Sequence, residues 1–174
     1  MPAWDFEAAY SDNSRMVYWT AYGILKSEAD ALDVSQETFL RALRGEDTLC
    51  TLSAPQQRAW LYRVAVNLCM DKKRREKREF PAEDTEIFEG ESREDRELPE
   101  AALMNAERKR LLRAAIDELP EIYRECVLLH YFSGLSLEEI AALDGTSLGT
   151  VKSRLSRARQ RLYDSLRKDG EHDV

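Results

Sequence analysis

Residues 136–161 read SLEEIAALDGTSLGTVKSRLSRARQR. Ser136 and Glu139 stand at the spacing of a capping box, in which hydroxyl and carboxylate each satisfy a free amide at a helix start. Ile140 and Leu143 give the helix that follows an apolar stripe, and Ala141 and Ala142 allow a neighbour to pack close. Asp144-Gly145 ends it, because glycine takes a left-handed conformation at little cost. Thr146 or Ser147 can cap the next helix. On that helix Leu148, Val151, Leu155, Ala158 and Leu162 recur at helical spacing and face a core. The other side carries Lys152, Arg154, Arg157, Arg159 and Arg161, interleaved with Ser153 and Ser156. A short helix, a glycine turn and a helix that is apolar inside and basic outside describe a helix-turn-helix, whose second helix offers donors to phosphates and base edges in a major groove.

The 174-residue chain has room for one domain or two small ones, and few glycines and prolines among many Ala, Leu, Glu and Arg favour an all-α protein. The net charge of -7 runs against DNA binding only as a sum. Residues 145–168 hold seven Lys/Arg against one acid, whereas residues 83–100 hold nine acids against two Arg. Salt screens charges beyond about 8–10 Å, so the local balance is what a partner meets. Cys50, Cys69 and Cys126 are far apart, with no metal-ligand spacing, which predicts reduced thiols and no metal site. No signal peptide opens the chain and no apolar run reaches the roughly 20 residues of a membrane span, so the expectation is a soluble, cytoplasmic protein.

Upstream, Met16, Val17, Thr20, Ala21, Ile24 and Leu25 form one helical face. Ser27 and Asp30 then cap a helix on which Leu32, Phe39, Leu40 and Leu43 are expected to face inward, with Asp33, Gln36, Glu37 and Arg41 on a polar side. From periodicity alone that side faces solvent. Gly45 to Gln57 shows no period and reads as a loop. In the next helix Trp60, Leu61, Val64, Ala65, Leu68 and Cys69 form a buried stripe beside a polar row of Arg63, Asn67, Asp71 and Arg74. It ends in Lys72, Lys73, Arg74, Arg75, Lys77 and Arg78, more cations than a helix C-terminus needs, and this run is read as phosphate-tracking. Pro81 to Pro99 is acidic and aperiodic, a flexible linker. Beyond it Leu103, Leu111, Leu112, Ala115, Ile116 and Leu119 predict a helix stopped by Pro120. Ile122, Val127, Leu128, Leu129, Tyr131 and Phe132 predict another, on which His130 is a packing residue.

Three separated stretches resemble bacterial sigma factors in order: DVSQETFLRAL (33–43), WLYRVAVNLCMDKKRR (60–75), and residues 119–159 with GTVKSRLSRAR. The short chain and acidic linker resemble the extracytoplasmic-function (ECF) branch of the sigma-70 family. The resemblance implies sigma region 2 over 1–79, an acidic linker over 80–101 and sigma region 4 over 102–170. It implies that Asp33, Gln36, Glu37 and Arg41 dock on the β′ clamp of core RNA polymerase, whose β subunit is also a partner. It implies that Arg63, Asn67 and Arg74 approach a −10 element, that the 45–57 loop captures a flipped base there, and that Lys152, Ser153, Ser156 and Arg157 meet a −35 element. An anti-sigma factor is an implied partner; no cofactor, metal or catalytic residue is. The match departs at Gln57 and Arg58, where many members carry an aromatic residue before the tryptophan. The competing reading is a helix-turn-helix regulator that acts on promoter DNA without entering polymerase. An enzyme finds no support, since no nucleophile–base pair or phosphate loop is visible.

Overall fold

A computed structural model describes residues 3–79 and 100–170, with side chains from residue 105 onward in the second stretch. Among the described residues all regular structure is helical. The N-terminal half contains α1 (Phe6–Leu25), α2 (Glu28–Arg44), the single turn α3 (Glu46–Leu49) and α4 (Ala54–Glu79). The C-terminal half contains α5 (Glu100–Asp117), α6 (Glu121–Val127), a π-helical turn (Leu128–Phe132), α7 (Leu137–Asp144) and α8 (Leu148–Gly170).

The boundaries follow local chemistry. Asp5 accepts from the Ala8 amide and Ser27 from the Asp30 amide, so α1 and α2 each start at a side-chain cap. Gly45 is followed by α3 rather than by an aperiodic loop, and α4 begins at Ala54, inside the stretch expected to be irregular. The Gln56 side chain accepts from the Ser53 amide at 3.0 Å, which fixes that early start. The helix after Pro120 is likewise not uniform. Its last turn widens to π geometry, and the Ser133 amide and hydroxyl both donate to the Leu128 carbonyl.

In the N-terminal half α1 packs between α2 and α4. The side of α2 that faces them is Ala31, Val34, Thr38, Phe39 and Ala42. Leu32, Leu40 and Leu43 are instead 54%, 46% and 42% exposed, contrary to the inward placement expected of them. The small residues Ala31 and Ala42 let the helices approach closely, and the Thr38 hydroxyl is satisfied by the Val34 carbonyl at 2.7 Å. The leucines are thereby left on the outer side. Ile122 and Tyr131, expected to pack, are also exposed, as is Leu112 at the edge of α5.

The two halves touch, and one cluster of buried side chains runs through both. The second half of α1 packs on α6 and the π turn, with the Trp19 and Phe132 rings 4.8 Å apart. Gly23 lies at this crossing. A Cβ there would meet Leu128 Cδ1 at 3.3 Å, so the residue permits the close approach of the helices. Residues 80–99, the bulk of the acidic linker, lie outside the described residues, and so does the side chain of Leu103.

Candidate nucleic-acid interface

Residues 136–161 fold as their chemistry dictates. Ser136 Oγ accepts from the Glu139 amide at 3.1 Å, and Glu139 Oε2 accepts from the Ser136 amide at 2.8 Å. Gly145 ends α7 at φ 67°, a conformation that penalises any side chain. Ser147 then caps α8 by accepting from the Thr150 amide at 3.1 Å. Val151, Leu155 and Ala158 are buried and hold α8 against α5, α6 and α7.

The outer side of α8 divides into two sets. Arg154 pairs with Asp144 at 2.5 Å, Arg159 donates to the Tyr131 hydroxyl at 3.2 Å, and the Arg161 guanidinium sits 5.4 Å from the centre of the Tyr123 ring. These three brace the helix on its own domain. Lys152, Ser153, Ser156 and Arg157 are exposed, and among the described residues neither Lys152 nor Arg157 has an ion-pair partner. Their spacing puts them on one side over roughly 7.5 Å, about two base-pair steps. An open groove of about 490 Å³ runs beside this side, lined by Ile122, Tyr123, Gly149, Thr150, Ser153 and Arg157 among others. Cationic and hydroxyl donors on a helix that projects from its domain can contact phosphates and base edges together.

On α4 the polar row is also open: Arg63, Asn67, Asp71 and Arg74 are all exposed, with Arg74 3.2 Å from Asp71. The cationic run that follows is not uniformly available. Lys72 pairs with Asp30 at 2.6 Å and Lys73 with Glu121 at 3.0 Å, so two of its members tie helices together. The hydrogen bond that Lys72 donates to the Asp30 carboxylate holds its ammonium above its ordinary range.

The stretch between α2 and α4 is anchored rather than loose. Leu49 is fully buried, and Gln57 Nε2 donates to the carbonyls of Leu49 and Leu52, each at 3.0 Å. Gln57 Oε1 accepts from Trp4 Nε1 at 3.3 Å. Beside it, between α1 and the start of α4, lies a cavity of about 210 Å³ lined by Trp4, Asp12, Asn13, Gln57 and Arg58.

On α2, Asp33, Gln36 and Arg41 are exposed and Glu37 is half-buried, pairing with Arg41 at 3.0 Å. Leu32, Leu40 and Leu43 are exposed on the same helix. Its outer side is therefore a mixed row of leucines and hydrogen-bonding groups, not a purely solvated face.

The sigma-70 region 2 model matches residues 9–79 and the sigma-70 region 4 model matches residues 109–162, together well over half of the chain. The ECF RNA polymerase sigma factor SigW of Bacillus subtilis is 33% identical over 158 residues, which cover 87% of this chain and 83% of that protein. The chain belongs to the ECF branch of the sigma-70 family. SigE of Mycolicibacterium smegmatis is 36% identical over 97% of this chain, and this sigma factor spans 63% of that relative's length. The sigma factor RpoE of Bartonella quintana, solved with the anti-sigma factor NepR, superposes with a TM-score of 0.64 at 26% identity, covering 94% of this chain and 97% of that one. CnrH, solved with the cytosolic domain of CnrY, superposes at 0.61 and 25% identity, covering 94% and 88%.

Three features of this sigma factor escape a reading of its sequence. The leucines of α2 lie next to its core stripe, and periodicity assigns both to one broad face. Gln57, in the sequence only a departure from the usual aromatic, organises the turn before α4. Arg124 is one cation at the start of an apolar run, and no local pattern shows that it is 4% exposed. Among the described residues no helix is long and apolar enough to cross a membrane, and no cluster of His, Cys, Asp and Glu could hold a metal ion.

Proposed function

We propose that this sigma factor joins core RNA polymerase, recognises a −35 and a −10 promoter element, and promotes opening of the duplex, the chemistry of RNA synthesis belonging to the polymerase. Residues 1–79 act as region 2 and residues 102–170 as region 4, joined by the acidic segment 80–101. Asp33, Gln36, Glu37 and Arg41 dock on the clamp of the β′ subunit. Arg63, Asn67 and Arg74 approach the −10 element, and the turn between α2 and α4 receives the extruded base. Lys152, Ser153, Ser156 and Arg157 meet the −35 element. The protein has no catalytic residue of its own and works in the cytoplasm. An anti-sigma factor is a further partner, a reading supported by the sigma factor RpoE, which is bound to the anti-sigma factor NepR and superposes along 94% of this chain.

The observation that carries the reading is the outer side of α2. Three leucines stand 42–54% exposed there, beside hydrogen-bonding groups, on a helix that already has a complete buried stripe. Covering what remains exposed contributes about 1 kcal/mol per leucine, so this row suits a protein partner. A helix-turn-helix regulator that acts without polymerase has no use for it. Run-off transcription with purified core polymerase on genomic fragments tests the proposal: specific transcripts that appear only with the protein support it. Sequence-specific binding to duplex DNA that core polymerase neither improves nor converts to transcription favours the ordinary regulator.

A further inference from the structure

The turn that joins α2 to α4 hangs on one side chain. The turn α3 ends at Leu49, and carbonyls at the end of a helix have no partner within it. Gln57, one turn into α4, supplies the partner: Nε2 donates to the Leu49 and Leu52 carbonyls, each at 3.0 Å. Its Oε1 accepts from the indole of Trp4, two residues before α1, at 3.3 Å. Both Nε2 protons are thereby used, so this half-buried side chain has no donor left for DNA. Its own amide donates to the Ser53 carbonyl at 2.8 Å, which closes the turn from the other end. Trp4 is held in its place by Phe6, edge-on at 5.7 Å, and Phe6 meets Phe39 of α2 at 6.2 Å.

What DNA meets is the outside of this turn. Asp47, Thr48, Thr51 and Ser53 are exposed, whereas Leu49 is fully buried and Leu52 packs against the core. Without Gln57 the link over residues 50–53 keeps only bonds of short range, such as those from the Thr51 amide and hydroxyl to the Thr48 carbonyl at 3.1 and 2.7 Å. An extruded base is read by hydrogen bonds to its edge. Discrimination between bases requires the reading groups to be held within about 0.5 Å of the productive geometry. A turn free to adjust receives any base that has left the stack. An aromatic ring at position 57 can fill space under the turn but cannot bond to its carbonyls. In this chain, therefore, a polar clamp reaches from the segment before α1 to the turn before α4.

We propose that Gln57 and Trp4 are positioning residues for recognition of the −10 element: Gln57 holds the 49–53 turn in the shape that discriminates the extruded base, and Trp4 holds Gln57. Neither touches the base. The inference rests on the reading of this turn as the receiver of that base, and adds the two side chains that give the turn a fixed shape.

Run-off transcription with core polymerase on templates randomised at the −10 element reads which base is preferred at each position and by what factor. Gln57→Met matches the side chain in length and removes its amide. Trp4→Phe keeps an aromatic ring and removes the indole N–H. Gln57→Met should cut the preference at one −10 position about fivefold, as loss of these bonds implies, and leave the −35 preference and the affinity for core polymerase within about twofold of wild type. Trp4→Phe should cut the preference at the same position about twofold. The double variant should be no less selective than Gln57→Met, because Trp4 acts through Gln57. Lower transcription from every template with the base preferences intact would make the pair merely structural and overturn the proposal. Additive losses in the double variant would overturn it as well. Should Gln57→Met fail to fold, Trp4→Phe decides: preferences unchanged at every −10 position refute the clamp. Wild-type transcription without preference at any −10 position would instead refute base capture by this turn, and no wild-type transcript from any template would refute the sigma-factor reading beneath both.

Discussion

Arg124→Met is the substitution whose consequence can be worked furthest from the structure. Methionine keeps much of the aliphatic volume and removes the guanidinium. Three hydrogen bonds disappear, at 2.7, 2.9 and 3.1 Å, all to backbone carbonyls. Gly23 lies in the last turn of α1, and Asp117 and Leu119 lie at and beyond the end of α5. Carbonyls at helix C-termini have no partner within the helix, and a cation there also opposes the helix dipole. Hydrogen bonds to a charged group contribute about 1.5–3 kcal/mol each, so the gross loss is about 4.5–9 kcal/mol. Removing the guanidinium also removes its desolvation penalty of several kcal/mol. The net expectation is a loss of about 3–5 kcal/mol, a large share of the 5–15 kcal/mol that is usual for a domain. Urea denaturation followed by two probes is the assay. Trp4, Trp19 and Trp60 all belong to the N-terminal half, so fluorescence reports that half and the Trp19–Phe132 contact, whereas circular dichroism reports every helix. The wild type should show coincident transitions. In the variant the circular-dichroism transition should begin at lower urea, as the C-terminal helices melt before the rest. A loss below about 1 kcal/mol with coincident probes would show that Arg124 neither caps these helices nor couples the two halves.

Other expectations follow from the exposed surfaces and from one half-buried carboxyl. Arg157→Ala should weaken −35 binding by about 1–3 kcal/mol and leave the thermal midpoint and the affinity for core polymerase unchanged, measured by fluorescence anisotropy and calorimetry; a parallel fall in all three would make the side chain structural. Leu40→Ser, like Glu37→Lys, should reduce assembly with core polymerase while changing free-protein stability by less than about 0.5 kcal/mol, and a midpoint loss of many degrees would place that row inside the fold. Burial first, then the nearby Glu121 and Asp144, raises the Glu125 carboxyl to about 7. The folded protein therefore binds a proton that the unfolded chain has released, so this group's contribution is full below its ordinary pKa and is lost as pH rises through about 7. Glu125→Gln should flatten the decline in stability between about pH 4.5 and pH 7 in urea titrations, and an unchanged slope would show that Glu125 is not the titrating group.

What the sequence alone determined is what short-range chemistry controls. Ser27, Ser136 with Glu139, Gly145 and Ser147 set helix ends through bonds spanning three or four residues, and each is found in the structure as it reads in the chain. Val151, Leu155 and Ala158 recur at the helical period and are buried, leaving Lys152, Ser153, Ser156 and Arg157 outside. Periodicity fails where a helix has more apolar residues than its neighbours can cover. On α2 both the alanine stripe and the leucines satisfy the pattern, and only the approach of α1 and α4 selects between them. It fails equally for α8, where sequence gives five cations one role and Asp144, Tyr131 and Tyr123 withdraw three of them. The packing of the halves was least legible. Arg58 and Glu139 are 81 residues apart, Tyr22 and Asp117 95, and Arg124 and Gly23 101. Such partners share no local pattern. Only the folded chain brings them together, because the free energy that joins them comes from burying surfaces distant in sequence.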